Sequence, residues 1–548
     1  MEDQRMAMAK HCPNKTAITW QAVRKSGSGK PVSPSGPAQS LGKHGLRLRQ
    51  CALLAMVALI TASCGKGGWF QSPESAGKID YLQNFVGGVA ADEPRAALVA
   101  RNILQAGGSA ADAAAAAALA YTVTYPAGAS LGSGGLCVAS DPVGKKVETI
   151  EFPLLPAKEG EQIAVPALLR GLGLLQSRYG KLRWEAVVTP AEQLARFGEP
   201  ASRAFVQAAV EAQPSVTDSP GLRQVFGTRS GLVPQEGERR LQYNIGNTLA
   251  RVRTGGAIEF YQGALAQSVV NDMNAAGSKI TLEDLRSYIA GISQPIEVPF
   301  ENNITLYTSN NPAGGAIAAW LLEQTYDGGN LFRSANLFSG RDNVRSDKFA
   351  ESLGQAYRSD PATMPLSGFG SASIAVIDAK GSAVACTFSM GLAFGTRQSG
   401  RETGVLFATP PGLAGDETPY LTAIVGFNKR VSQSFVAAGG TGGAPAASAA
   451  AYSVLQVALG KSKKDPAAPA LAEPRMLQAN PQSTLLVEPN TNPALYKALA
   501  DRGVTVNEIG RLGRVNLAYC ANGSPRDPAT CSFAADPRSY GLGVGRQF

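Results

Sequence analysis

Residues Pro365 to Phe388 read PLSGFGSASIAVIDAKGSAVACTF, a glycine-broken loop that becomes an alternating apolar strand at Ser371. Two readings of Ser371 stand side by side. One is a strand-initiating serine, the ordinary role of a serine at such a junction; the other is a nucleophile exposed when the chain cuts itself between Gly370 and Ser371. A missing residue type bears on the choice. Both histidines, His11 and His44, precede residue 64, so the chain beyond has none. Ser-His-Asp triads, Cys-His proteases and histidine-ligated zinc sites all need an imidazole and are excluded there. No C-x-x-C pair offers a thiolate cluster in its place. The glycine-rich LGSGGL (131–136) and AGGTGGA (438–444) lack the Lys-Ser/Thr ending of a phosphate loop. Acyl chemistry in this body therefore needs another base, and a serine at a newly made N-terminus carries one, because an α-amino group titrates near neutrality.

The elements that must position such a serine are legible in outline. EPRAALVARNILQAGG predicts a helix from Pro94 to Ala106, stopped by Gly107 and Gly108, and Ser109 caps a second, alanine-rich helix. So much alanine implies close packing on a flat partner such as a sheet. GLCVAS and VETIEF read as strands around the turn at 141–146, and residues 163 to 290 are mainly helical by periodicity. IEVPFENNITLYTS alternates like a strand pair and GGAIAAWLLEQTY returns to helix. From Ser371 onward the chain is strand-rich: SASIAVID, AVACTFSM, TAIVGF and QSFVAAGG, then the helix APAASAAAYSVLQVALG. Helical layers outside two central sheets are the natural packing of these segments.

Composition separates a leader from a body. The formal charge of +9 belongs largely to residues 1–63, which hold nine Lys/Arg and two acids; beyond them 42 basic residues face 40 acidic ones. A near-neutral body with no basic stripe gives no footprint for nucleic acid. Lys43, His44, Arg47 and Arg49 precede the apolar CALLAMVALITAS (51–63), which is signal-peptide length and too short to span a bilayer. Ala62 and Ser63 before Cys64 resemble a lipoprotein signal in which Cys64 becomes the lipidated first residue, although Thr61 stands where that pattern prefers an aliphatic residue. The alternative is an ordinary secretory signal cut nearby. The chain thus divides into a leader (1–63), a linker (64–86) and one domain (87–548). Cys520 and Cys531 flank the turn-rich ANGSPRDPAT, so a hairpin joins them in an oxidising compartment or leaves two buried thiols. Cys137 and Cys386 lie in apolar runs, where packing is the default.

Seven motifs, in order, resemble the γ-glutamyltransferases, a family of self-processing N-terminal-nucleophile hydrolases. They are EPRAALVARNILQAGGSAADAAAAAALAYTVTYP, GSGGLCV, VPALLRGLGLLQSRYGKLRWEAVVTPAEQLARFG, GAIEFYQGALAQSVV with GSKITLEDLRSYIA, NPAGGAIAAWLLEQ, SASIAVIDAKGSAVACTFSMGLAFGT and AADPRSYGLGVG. The resemblance runs from about Gly87 to the C-terminus. It implies a four-layer αββα sandwich of the α/β (α+β) class, export to the periplasm or surface, no metal or organic cofactor, and a small-molecule amide or peptide substrate. It also implies self-cleavage into 64–370 and 371–548, two chains from one precursor. The family's nucleophilic threonine falls on Ser371, its nucleophile-orienting Thr-x-Thr on Thr387 and Ser389, and its oxyanion-hole glycines on Gly442 and Gly443.

On the substrate side this chain departs from the family. The arginine that grips the glutamyl α-carboxylate belongs to a segment that is FPLLPA here, Phe152 to Ala157, without an arginine. The serine pair falls near Thr418 and Pro419, the amine-binding acidic motif on Ala408 to Leu413, and an asparagine on Gly391. The stretch from Thr409 to Thr422 is shorter than in the family, implying an open pocket. Arg397 and Arg401 are candidates for a replacement carboxylate grip or are solvated loop charges. Three functions follow as expectations: an amide hydrolase or acyltransferase acting through Ser371 on γ-glutamyl or related amides, an unprocessed lipoprotein using the fold as a binding module, and an acylase for a less charged amide.

Overall fold

The computed structural model describes residues 85–545 except 159–160, 214–215, 217–218, 229, 231, 326–367, 414, 460–464, 479–483, 492, 494–495, 498–500, 502, 504 and 525. The leader, its signal segment and Cys64 lie outside the described residues.

Two antiparallel sheets carry the architecture. The first joins seven strands, β1 (Gly87–Ala91), β2 (Gly134–Asp141), β3 (Lys146–Phe152), β4 (Gly291–Ser293), β7 (Ser371–Asp378), β8 (Ala383–Ser389) and β13 (Leu542–Val544), in the order β13-β1-β7-β8-β2-β3-β4. The second joins six, β5 (Ile296–Pro299), β6 (Thr305–Thr308), β9 (Thr422–Asn428), β10 (Gln433–Thr441), β11 (Arg514–Ser524) and β12 (Cys531–Ala534), in the order β12-β11-β10-β9-β6-β5.

Alternation along the strands assigns their faces. In β7, Ala372, Ile374 and Val376 join the core beneath the helices, while Ala375 and Ile377 join the core between the sheets. In β10, Ala437 faces the first sheet and Ala438 the outer helices. A strand covered on both faces has no solvent side, so SASIAVID is buried at all eight positions. Residues 371, 373, 387 and 389 therefore share the face between the sheets, since Ser371 pairs with Ser389 and Ser373 with Thr387.

Outside the first sheet lie α1 (Pro94–Gln105) and α2 (Ala110–Thr124); outside the second, α3 (Gly315–Thr325) and α4 (Ala446–Leu459). The result is the αββα sandwich expected from the sequence. Helix α2 is buried along all fifteen residues, which its alanines permit by letting neighbouring backbones approach. Ser109 and Asp112 form a reciprocal capping box at its start, and Asp112 also accepts from the backbone N–H of Lys181 at 2.7 Å. Glycines set the spacing of the two sheets. A Cβ on Gly439 would stand 2.7 Å from Cβ of Ser373, and one on Gly440 would meet the Ala446 carbonyl at 2.6 Å. The run AAGG in β10 is thus a close approach on both faces.

Cys520 and Cys531 are opposite one another in β11 and β12 and are joined by a disulfide. Cys137 and Cys386, expected only to pack, are joined as well: β2 and β8 are hydrogen-bonded neighbours with these residues in register. That pairing spans 249 residues of sequence, which is why apolar flanks alone did not reveal it. Among the described residues no helix is long and apolar enough to cross a membrane.

Candidate active site

Ser371 opens β7 fully buried between the sheets. Its hydroxyl donates to Oε2 of Glu417 and accepts from the backbone N–H of Gly442 at 3.1 Å. Gly442 can aim that N–H because its φ is +89°, a conformation side-chain-bearing residues rarely adopt. Gly443, at φ +81°, accepts from the Ala446 N–H at 3.0 Å just where α4 begins.

The bond before Ser371 is held as closely. The Gly370 carbonyl oxygen accepts from the Met390 N–H at 2.8 Å and from the Ser389 hydroxyl at 3.2 Å. Ser389 in turn accepts from the Gly391 N–H at 2.8 Å and the Thr418 hydroxyl at 3.2 Å. The Gly370 N–H donates to Oε1 of Glu417 at 2.8 Å. Arg514, buried at the start of β11, donates to the Ser371 carbonyl at 2.9 Å and to the Gly368 carbonyl, and its guanidinium lies 4.5 Å from the Phe369 ring centre.

A second layer fixes the strand. The Ser373 N–H donates to Asp92 at 2.7 Å, and the Ser373 carbonyl accepts from the Tyr121 hydroxyl at 2.7 Å and from Asn516 at 3.1 Å. Thr387 is aligned with these groups, yet its buried hydroxyl has no hydrogen-bond partner among the described residues, so it does not orient Ser371 by a bond.

Electrostatics at the site turn on Glu417. Burial pushes its carboxyl above the usual carboxylate range, with Asp416 adding to the rise; Arg514 and the bonds from Ser371 and Gly370 oppose it. Asp92 is likewise raised by burial against the pull of Arg514. Arg514 is itself held above the ordinary arginine value: Tyr125, Asp92, Glu417 and Asp536 outweigh the burial that disfavours its charge.

The stretch expected to leave an open pocket is the turn that carries Glu417. The Glu417 N–H donates to the Gly391 carbonyl at 3.0 Å and the Thr418 N–H to Asp416 at 2.9 Å, so the stretch from Thr409 to Thr422 folds back with its carboxylate on the nucleophile. Ser371 is fully buried beneath this turn. Gly368 is needed for this fit, because a Cβ there would overlap Oε1 of Glu417. Arg397 and Arg401 instead line a separate cleft with Ser219, Pro220 and Asp272. Asp536 accepts from Arg475 and from the Val515 N–H at 2.8 Å in a buried network that steadies the start of β11. Among the described residues no three His, Cys, Asp or Glu side chains gather to hold a metal ion.

Sequence reasoning missed Glu417 and Arg514. The first stands in the segment aligned with a serine pair, and the second is 143 residues from the serine whose carbonyl it holds. The one available signal was the buried strand run VNLA (515–518), preceded by an arginine.

The family model described as gamma-glutamyltranspeptidase matches residues 96–154 and 153–331, ending before Ser371. Over 505 residues the chain is 28% identical to glutathione hydrolase 5 proenzyme of Rattus norvegicus, covering 77% of this chain and 86% of that one. It is 32% identical over 251 residues to scoloptoxin SSD14 of Scolopendra dehaani, a match that spans 43% of this chain and only 44% of that protein's length. The cephalosporin acylase of Bacillus halodurans has the same fold, with a TM-score of 0.66 at 20% identity over 85% of this chain and 96% of its own. These matches make the chain similar to the gamma-glutamyltranspeptidase family over residues 96–331 and give it the fold of the cephalosporin acylase, in which the serine at the head of a sandwiched strand meets a glycine N–H from the facing sheet in this chain.

Proposed function

We propose that this protein is an exported amide hydrolase or acyltransferase that cuts itself between Gly370 and Ser371 and then uses Ser371 as its nucleophile. The observation that carries the reading is the pairing at one residue of an activated hydroxyl and a polarised neighbouring carbonyl. Ser371 Oγ lies between Glu417 and the Gly442 N–H, while two donors hold the Gly370 oxygen. After cleavage the new α-amino group is the base for attack on an amide, and the Gly442 N–H is placed to stabilise the developing oxyanion.

The acyl group is an uncharged or apolar one rather than an unmodified γ-glutamyl group. Glu417 places a carboxylate beside the nucleophile, where a substrate α-carboxylate would meet like charge. The segment Phe152–Ala157, which begins at the end of the strand paired with β2, holds no arginine, so it offers no bidentate partner for a carboxylate. Two disulfides support an oxidising compartment, and the leader supports export to the periplasm with lipidation at Cys64.

The test is a panel of chromogenic anilides, γ-glutamyl and aliphatic-acyl, given to the purified protein and to Ser371→Ala. Turnover of the aliphatic members, absent in the variant, is the expected result. No turnover of any member, with no acyl adduct on Ser371 by peptide mass mapping, would leave the binding-module reading in its place.

A further inference from the structure

We propose that Glu417 is the base that takes the Ser371 hydroxyl proton when the Gly370–Ser371 peptide bond is cut. The inference rests on the self-processing reading above and supplies what that reading lacks. Before the cut, the Ser371 nitrogen belongs to a peptide bond and cannot act as an amine base. No histidine follows residue 44, so an imidazole is also absent. Of the two groups bonded to the Ser371 hydroxyl, the Gly442 N–H can only donate, whereas the Glu417 carboxylate accepts the hydroxyl proton.

The geometry suits both halves of the step. Glu417 Oε2 receives the proton, Ser371 Oγ attacks the Gly370 carbonyl carbon, and the resulting oxyanion stays on the Met390 N–H and the Ser389 hydroxyl. The C–N bond then breaks as protonated Glu417, already bonded to the Gly370 N–H on its other oxygen, returns the proton to the Ser371 nitrogen. An ester between Gly370 and Ser371 Oγ remains. Water hydrolyses it to a Gly370 carboxylate and a Ser371 with free hydroxyl and amine, so the overall change is hydrolysis of one peptide bond. Arg514 anchors the carbonyls of Gly368 and Ser371 on either side throughout.

The charged and titratable groups facing Glu417 are Arg514 from the second sheet, Asp416 from its own turn and Tyr125 from the end of α2. Tyr125 is kept neutral by burial. Burial and Asp416 raise the Glu417 carboxyl while Arg514 restrains it, so the base form is lost at a higher pH than for an exposed glutamate.

Cleavage is followed on the full chain made by cell-free translation, chased over a pH series and read on reducing gels, for wild type, Glu417→Gln, Glu417→Asp and Ser371→Ala. We expect wild type to be cut at a rate that rises with pH, Glu417→Gln to be slowed about 100-fold or more with a flat profile, and Glu417→Asp to keep the pH dependence at reduced rate. Melting curves separate loss of the base from loss of the fold. If Glu417→Gln melts early, the wild-type profile and Glu417→Asp decide, and a wild-type rate independent of pH overturns the assignment. Wild type cut normally with Glu417→Gln cut as fast overturns Glu417 alone. An uncut wild-type chain overturns the self-processing reading as well.

Discussion

A carboxylate that must approach a buried hydroxyl needs its neighbours to make room, and Gly368 does so. Replacing it by alanine puts a methyl group on Oε1 of Glu417, and we expect Gly368→Ala to slow cleavage at least tenfold while Ser371 stays in place, measured as the uncut fraction on a reducing gel. Gly442 is a different case. Its φ of +89° is strained for any residue with a side chain, and Gly442→Ala should cost about 1–3 kcal/mol in addition to misdirecting the N–H that meets Ser371. Of the hydroxyls and glycines singled out in the sequence, Ser371, Ser389 and Gly442 come together around the Gly370–Ser371 bond, whereas Gly443 bonds to Ala446 and Thr387 makes no bond to Ser371. The sequence did not announce Glu417. The bond from Ser371 to Glu417 bridges 46 residues and depends on how a proline-bearing turn folds back, which no local propensity encodes.

Strand and helix boundaries were legible where burial pattern and capping chemistry agree. SASIAVID and the Ser109 cap are two such places, the latter completed by Asp112 three residues on. Asp112 does more than cap, because it also accepts from Lys181 and so ties α2 to the turn after the helix Leu168–Tyr179. Asp112→Ala should therefore cost about 2 kcal/mol or more, seen as a lowered Tm. The spacing of the sheets was not legible, since glycines in a strand look alike whether they serve a bulge or a close approach. Gly439→Ala tests the close approach: its methyl would press on Ser373, and we expect a loss of about 1–3 kcal/mol together with weakened cleavage. An unchanged Tm would show that the sheets can part without penalty.

Across the whole molecule, the disulfide between Cys137 and Cys386 joins residues on opposite sides of the Gly370–Ser371 bond. Cleavage would leave the two fragments covalently tethered, so processed protein should run as one band without reductant and as two with it. Cys386→Ser should release both fragments in either condition. The layered fold followed from strand and helix alternation, but the tether did not, because its two cysteines are 249 residues apart and become neighbours only when β2 and β8 pair. The most direct measurement is therefore the intact mass of reduced, purified protein beside Ser371→Ala. We expect two masses whose boundary is Gly370/Ser371 in the wild type and one full-length mass in the variant. A single uncut mass in both would contradict the self-processing nucleophile.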